Sequence, residues 1–261
     1  MNYAARTALF CSLGVLYSAA AISYTTSGQV LTTAFDTLPN TGTSAAWTND
    51  STIQGWSLFN SAGSAITGIA VGNGNTNPGS FYSYGTTSAS DRALGGLGSG
   101  GAYFGTPATG SVAGYVAASY TNASGSVLTA VTINYDGEQW RNGGNTTAHS
   151  YNLQYGIGNT FASVTTWSAA GVSFNFTGPV ATATAAAVDG NAAGLVSNVG
   201  GNLSLTWNVG DTLWIRWSDI NEAGNDHGLA IDNFSISAIP EPSSAIVAIA
   251  GLGFLALRRR R

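Results

Sequence analysis

Leu203-Ser204-Leu205-Thr206-Trp207-Asn208-Val209-Gly210-Asp211-Thr212-Leu213-Trp214-Ile215-Arg216-Trp217-Ser218 decides the fold class. Leu203, Leu205, Trp207 and Val209 take every second position, with Ser204, Thr206 and Asn208 between them. Successive side chains of a β-strand point to opposite faces, so this spacing gives one apolar and one wet face; a helix needs apolar residues every three or four. Gly210-Asp211 then breaks the alternation where two residues can close a turn. This predicts a hairpin into residues 212–218, although the favoured Asp-Gly order is reversed. In the second strand Leu213, Ile215 and Trp217 share one face, and Thr212, Trp214 and Arg216 share the other.

The same period runs outward from this stretch. Val127, Thr129, Val131, Ile133 and Tyr135 alternate with small or polar residues, as do His149, Tyr151, Leu153, Tyr155 and Ile157, and then Val172, Phe174 and Phe176. Looser strands are expected over 30–35, 53–59, 65–71, 102–105 and 112–120, separated by glycine- and serine-rich loops at 72–80 and 88–101. No repeat of fixed period and no linker divides residues 22–239, which form one domain. About a dozen short strands with Gly and Asn turns predict an all-β fold, a two-sheet antiparallel β-sandwich of jelly-roll type.

Charge narrows the partners. The chain has no lysine, and within 22–239 Arg92, Arg141 and Arg216 stand against eleven acidic residues. Such a balance leaves no electrostatic footprint for nucleic acid. At the N-terminus, Arg6 precedes an apolar stretch, 7–21, ending in Ala19-Ala20-Ala21, the pattern of a secretory signal peptide cut after Ala21. Its removal would take away Cys11, the one cysteine, leaving neither disulfide nor thiol nucleophile in the mature domain.

The C-terminus reads Pro240-Glu241-Pro242, an uncharged segment 243–257, then Arg258, Arg259, Arg260 and Arg261. As a helix the segment spans about 23 Å, short of a hydrocarbon core about 30 Å thick, so it suits transient insertion with its arginines held inside. These three parts, in this order, resemble the PEP-CTERM sorting signal of bacterial surface proteins. The resemblance covers the tail alone. It implies recognition by an exosortase, a membrane-embedded transpeptidase, export through the inner membrane, and a mature protein at the cell surface or in an exopolysaccharide or biofilm matrix. A plain tail anchor with an arginine stop is the alternative.

Candidate sites concentrate in residues 218–233. Asp219, Glu222, Asp226 and Asp232 offer oxygen ligands suited to a structural calcium, although Ala223 rules out an EF-hand loop. Asp232 shares the parity of Phe234 and Ile236, placing a carboxylate at the edge of the core. The string Leu229-Ala230-Ile231-Asp232-Asn233-Phe234 resembles the last strand of extracellular jelly rolls, including carbohydrate-binding and MAM-like domains, some of which hold calcium there. The alternative is that these acids cap turns or are solvated. For sugars, Trp214 with Arg216, and Trp140 with Arg141 in a turn, could each stack a ring and bond its hydroxyls; the alternative covers Trp214 with a loop.

Enzyme signatures are weak. Asp136 and Glu138 could serve as a glycosidase pair, yet nothing in the sequence raises either pKa. His149 reads as a core histidine and His227 as a turn residue. The reading is therefore a non-enzymatic, structural or adhesive surface protein, partnered by an exosortase and by polysaccharide. A carbohydrate-binding module is the second reading and a glycoside hydrolase the third; the one cofactor expected is the structural calcium.

Overall fold

The computed structural model describes residues 21–98, 104 and 107–240. Apart from Ala21, Phe104 and Pro240, the expected signal peptide, the strand expected at 102–105 and the expected sorting tail lie outside the described residues. Sixteen strands follow in order. The first eight are β1 (Ile22–Tyr24), β2 (Val30–Thr33), β3 (Ser44–Ala46), β4 (Trp56–Asn60), β5 (Gly68–Gly72), β6 (Ser80–Tyr84), β7 (Ala93–Leu97) and β8 (Val112–Asn122). Then come β9 (Leu128–Asn142), β10 (Ser150–Ile157), β11 (Ser168–Ala169), β12 (Phe176–Thr177), β13 (Ala186–Ala187), β14 (Leu195–Trp207), β15 (Thr212–Ile220) and β16 (Gly228–Ile239).

They form a two-sheet sandwich. The seven-stranded sheet runs β1-β8-β15-β10-β11, with β4 on β8 and β12 on β10; the nine-stranded sheet runs β13-β9-β16-β7-β6-β5-β3, with β14 on β9 and β2 on β16. The sheets are mixed rather than wholly antiparallel, because β1 runs parallel to β8 and β5 parallel to β6. Between them Trp56 stacks on Trp217 at 5.8 Å, and both meet Phe234 of the opposite sheet edge-on at 5.2 and 5.7 Å. Full burial of each such ring is worth about 3 kcal/mol, which makes this aromatic contact the centre of the core.

The stretch that announces the fold does not form a hairpin. β14 pairs with β9 in one sheet, whereas β15 pairs with β8 and β10 in the other, so residues 208–211 arch across the sandwich. The arch is tied to the end of β8: the Gly210 N–H donates to the Asn122 carbonyl at 2.8 Å, and the Asn122 N–H to the Asp211 carbonyl at 3.0 Å. Both faces of β15 are buried, since Trp214 and Ser218 are covered as fully as Leu213, Ile215 and Trp217. In its sheet β15 lies between β8 and β10, whereas β14, half exposed, borders β9 in the other.

Three other expectations change. Residues Val172–Phe174 form a 3-10 turn, and only Phe176–Thr177 continues as strand. The supposed loops at 72–80 and 88–101 contain the ends of β5 and β6 and all of β7, whose five residues are completely buried. Gly95 and Gly96 mislead here: a Cβ on Gly95 would lie 2.0 Å from the Leu229 carbonyl oxygen, so glycine is what lets β7 approach β16. Finally, Asn233 adopts φ 48 and the β16–β9 register slips between Asp232 and Ser235, a β-bulge. Leu229 and Ile231 face the core before it, Phe234 and Ile236 after it, and Asp232 therefore leaves the core face.

Arg92 is the one fully buried cation among the described arginines. Its Nε donates to Ser83 Oγ at 2.9 Å, and its terminal nitrogens reach the carbonyls of Ser83, Thr86 and Gly72. It thereby ties the 86–92 turn to β5 and β6.

Candidate functional site

At one end of the sandwich, the end of β15, the loop into β16 and the segment before β10 converge. Asp219 comes from β15, Glu222 and Asp226 from the loop, His227 from the residue before β16, and His149 from the residue before β10. His149 Nδ1 lies 3.4 Å from Glu222 Oε2 and 3.9 Å from Asp226 Oδ1. The His149 and His227 rings stack at 4.1 Å. The loop is held in place by its own backbone: the Glu222 N–H donates to Asp226 Oδ1 at 2.8 Å, and Asn145 Nδ2 donates to the Ala223 carbonyl at 2.8 Å.

Backbone donors also set the imidazole tautomers. The His227 N–H donates to His149 Nδ1 at 3.0 Å, and the Gly143 N–H to His227 Nδ1 at 3.0 Å. Both Nδ1 atoms are therefore unprotonated. Burial, then the neighbouring His227, pulls the His149 pKa down to about 4, and burial lowers that of His227. Burial, reinforced by Asp226, pushes Glu222 up to about 8; burial, then Glu222 and Asp226, pushes Asp219 far above the usual carboxylate range. His149, Glu222 and Asp226 each place a donor atom within 4.8 Å of the others, close enough to surround one cation.

Asp219, Glu222 and Asp226 thus come together as the sequence suggests, but Asp232 does not join them. Turned outward by the bulge, it is 2 % exposed on the outer face of the nine-stranded sheet, in the same pairing ladder as Asp136 and beside Glu138. Burial, then Glu138, Asp91 and Asp36, raises its pKa to about 8. Burial likewise raises Glu138 to about 7, partly offset by the Trp140 Nε1–H, which donates to Glu138 Oε2 at 2.8 Å. The perturbation that the sequence alone did not reveal at Glu138 comes from the 188–194 segment folding over it: a Cβ on Gly190 would strike the Trp140 ring at 2.3 Å.

The residues singled out for sugar are largely covered. Trp214 is 3 % exposed, sealed by Phe161 at 5.7 Å and Phe59 at 6.3 Å, with Nε1–H donating to the Gly158 carbonyl at 3.0 Å. Trp140 and Arg141 lie within β9 rather than in a turn; Trp140 is buried in a stack with Tyr84, and Arg141 Nη1 donates to the Gly74 carbonyl at 2.8 Å. Arg216 remains half-buried. Its guanidinium is sandwiched between Trp167 at 3.9 Å and Tyr115 at 4.2 Å, and its Nε donates to Gln154 Oε1 at 2.8 Å rather than to Asp219 or Asp232. Trp167, His149 and His227 are the residues that sequence reasoning missed. All three sit in irregular segments whose partners are set by the fold; the proximity of Asp226 and His227 in sequence was the one available signal.

At the exit from the fold, Ala238 is buried and its N–H donates to Tyr24 Oη at 2.7 Å, while Ile239 and Pro240 are exposed. Residues 238–261 match the PEP-CTERM protein-sorting motif. That motif implies export and a place at the cell surface or outside the cell. No curated protein matches the chain. Among solved structures, the CBM22-1 xylan-binding domain of Paenibacillus barcinonensis Xyn10C is similar at 12 % identity, covering 82 % of this chain and 97 % of that one, with a TM-score of 0.35. The K3 cleaved adhesin domain of Lys-gingipain (Kgp) from Porphyromonas gingivalis w83 is similar at 13 % identity, covering 70 % and 91 %, with a TM-score of 0.37. Among the described residues, no helix is long and apolar enough to cross a membrane.

Proposed function

We propose that the chain is an exosortase substrate whose sandwich acts, without catalysis, as a structural or adhesive element of the cell envelope or of an exopolysaccharide matrix. The reading rests on the PEP-CTERM match at 238–261, which begins at the last residues of β16. With no linker between core and tail, processing near Pro240 would release an intact domain. The acidic surface and the scarcity of arginine suit an uncharged or neutral matrix better than an anionic lipid surface. Mass spectrometry of the mature protein from its native host tests this. The expected C-terminus lies near Pro240-Glu241-Pro242; a mature chain still carrying Arg258 to Arg261 refutes the processing step and leaves a tethered domain.

A second reading, polysaccharide binding, is favoured by the half-buried group Trp167, Arg216, Tyr115 and Gln154 on the outer face of the seven-stranded sheet. A ring edge beside a guanidinium and an amide can hold a sugar. A glycan array with wild-type protein and Trp167→Ala checks it: saturable binding lost in the variant supports the module, and no binding to any glycan removes it.

A further inference from the structure

We propose that His149, Glu222 and Asp226 bind a divalent transition cation of the zinc type, with the carboxylate of Asp219 buried behind them. The His149–Glu222 separation fits, and Asp226 stands a few tenths of an ångström beyond it. Two ligands each about 2.0–2.2 Å from a tetrahedral ion lie roughly 3.3–3.6 Å apart, and His149 Nδ1 is 3.4 Å from Glu222 Oε2 and 3.9 Å from Asp226 Oδ1. The imidazole decides the class of metal. Calcium and magnesium take oxygen ligands, whereas a mixed set of one imidazole and carboxylates suits zinc and its neighbours. This replaces the all-oxygen calcium set expected from sequence, since Asp232 is elsewhere and a histidine takes its place.

The nitrogen is in the form a metal needs. The His227 amide is an obligate donor, so its 3.0 Å contact marks a lone pair on His149 Nδ1, and a cation would compete with that amide for it.

Asp219 supplies an independent observation. It is 5 % exposed, and its Oδ2 has no hydrogen-bond partner among the described residues. A buried carboxylate oxygen without a donor is costly, and a dication at Glu222 and Asp226 is a charge that would offset it. The chain has no lysine to do so, and Arg141 Nη1 is engaged by the Gly74 carbonyl. A cleft of about 120 Å³, lined by Asn77, Arg141, Asn225 and Asp226 among others, reaches the Asp226 side of the cluster, and Glu222 is itself partly exposed.

The test uses the full chain without a polyhistidine tag, stripped with chelator and titrated with zinc chloride by calorimetry, with thermal melting alongside. One equivalent of zinc binds and raises the melting temperature. His149→Gln and Glu222→Gln each weaken binding about tenfold or more. Glu222 is partly exposed, so its variant keeps the fold even where the histidine variant does not. Absence of saturable zinc binding by folded protein overturns the proposal, as does unchanged affinity in Glu222→Gln. Saturation by calcium at lower concentration than zinc overturns the choice of metal.

Discussion

Trp214 offers a direct test of whether an aromatic ring in this sheet serves the core or a ligand. The ring packs against Phe161 and Phe59, and its N–H is used by the Gly158 carbonyl at 3.0 Å. Truncation of a buried tryptophan to alanine costs about 3–5 kcal/mol, and stranding a buried carbonyl adds about 1 kcal/mol. The cover is a surface segment that can settle into part of the space, which places Trp214→Ala near the lower end, at about 3 kcal/mol. For a domain of this size that is a fall in melting temperature of roughly 10 °C. Trp214→Phe keeps most of the apolar body and forfeits the hydrogen bond, so it should lose about 1–2 kcal/mol. Urea unfolding followed by circular dichroism reads both, with unchanged slopes and ordered midpoints: wild type above Phe above Ala. A Trp214→Ala protein with the wild-type midpoint but lost affinity for an oligosaccharide would refute the packing argument and restore the exposed platform.

Other perturbations follow from the same contacts. In the folded protein Asp232 and Glu138 have pKa values raised to about 8 and about 7, above their ordinary carboxylate values, so the native state holds their protons more tightly than the unfolded chain does. Their contribution is complete in acid and is lost as pH rises through 7 to 8; melting temperature should fall by about 5 °C or more from pH 6 to 9, and Asp232→Asn should flatten that decline. An Asp232→Asn profile parallel to wild type would contradict it. Gly95→Ala drives a methyl to 2.0 Å from the Leu229 carbonyl in the middle of a sheet and should cost at least about 3 kcal/mol, read as a lowered denaturant midpoint or loss of soluble protein. Arg92→Met keeps the buried stem but leaves carbonyls of Ser83, Thr86 and Gly72 without their donor, for a loss of about 3 kcal/mol by the same measurement.

Period-two alternation carried the fold class, because the faces of β9, β10, β14 and β15 are written in neighbouring residues. It could not assign strands to sheets. The turn at Gly210-Asp211 has the composition of a hairpin, and only the burial of Trp214 on the second face of β15 sends its two arms apart. It also failed where side chains are absent: β7 reads as a glycine loop because its task is close approach. Three acids of the site, Asp219, Glu222 and Asp226, were visible as a cluster within residues 218–233. Asp232 was misplaced because a bulge at Asn233 inverts parity without leaving a mark in the pattern, and His149 was missed because its partners lie more than seventy residues away in the chain.

The position of β16 has a mechanical consequence. The strand that leads into the sorting peptide is an interior one, flanked by β9 on one side and by β7 and β2 on the other. Tension applied through the tail would load those ladders in shear, many hydrogen bonds at once, rather than peel an edge open bond by bond. The same placement means that the nine-stranded sheet cannot close until β16, the last described strand, is available to join β9 to β7.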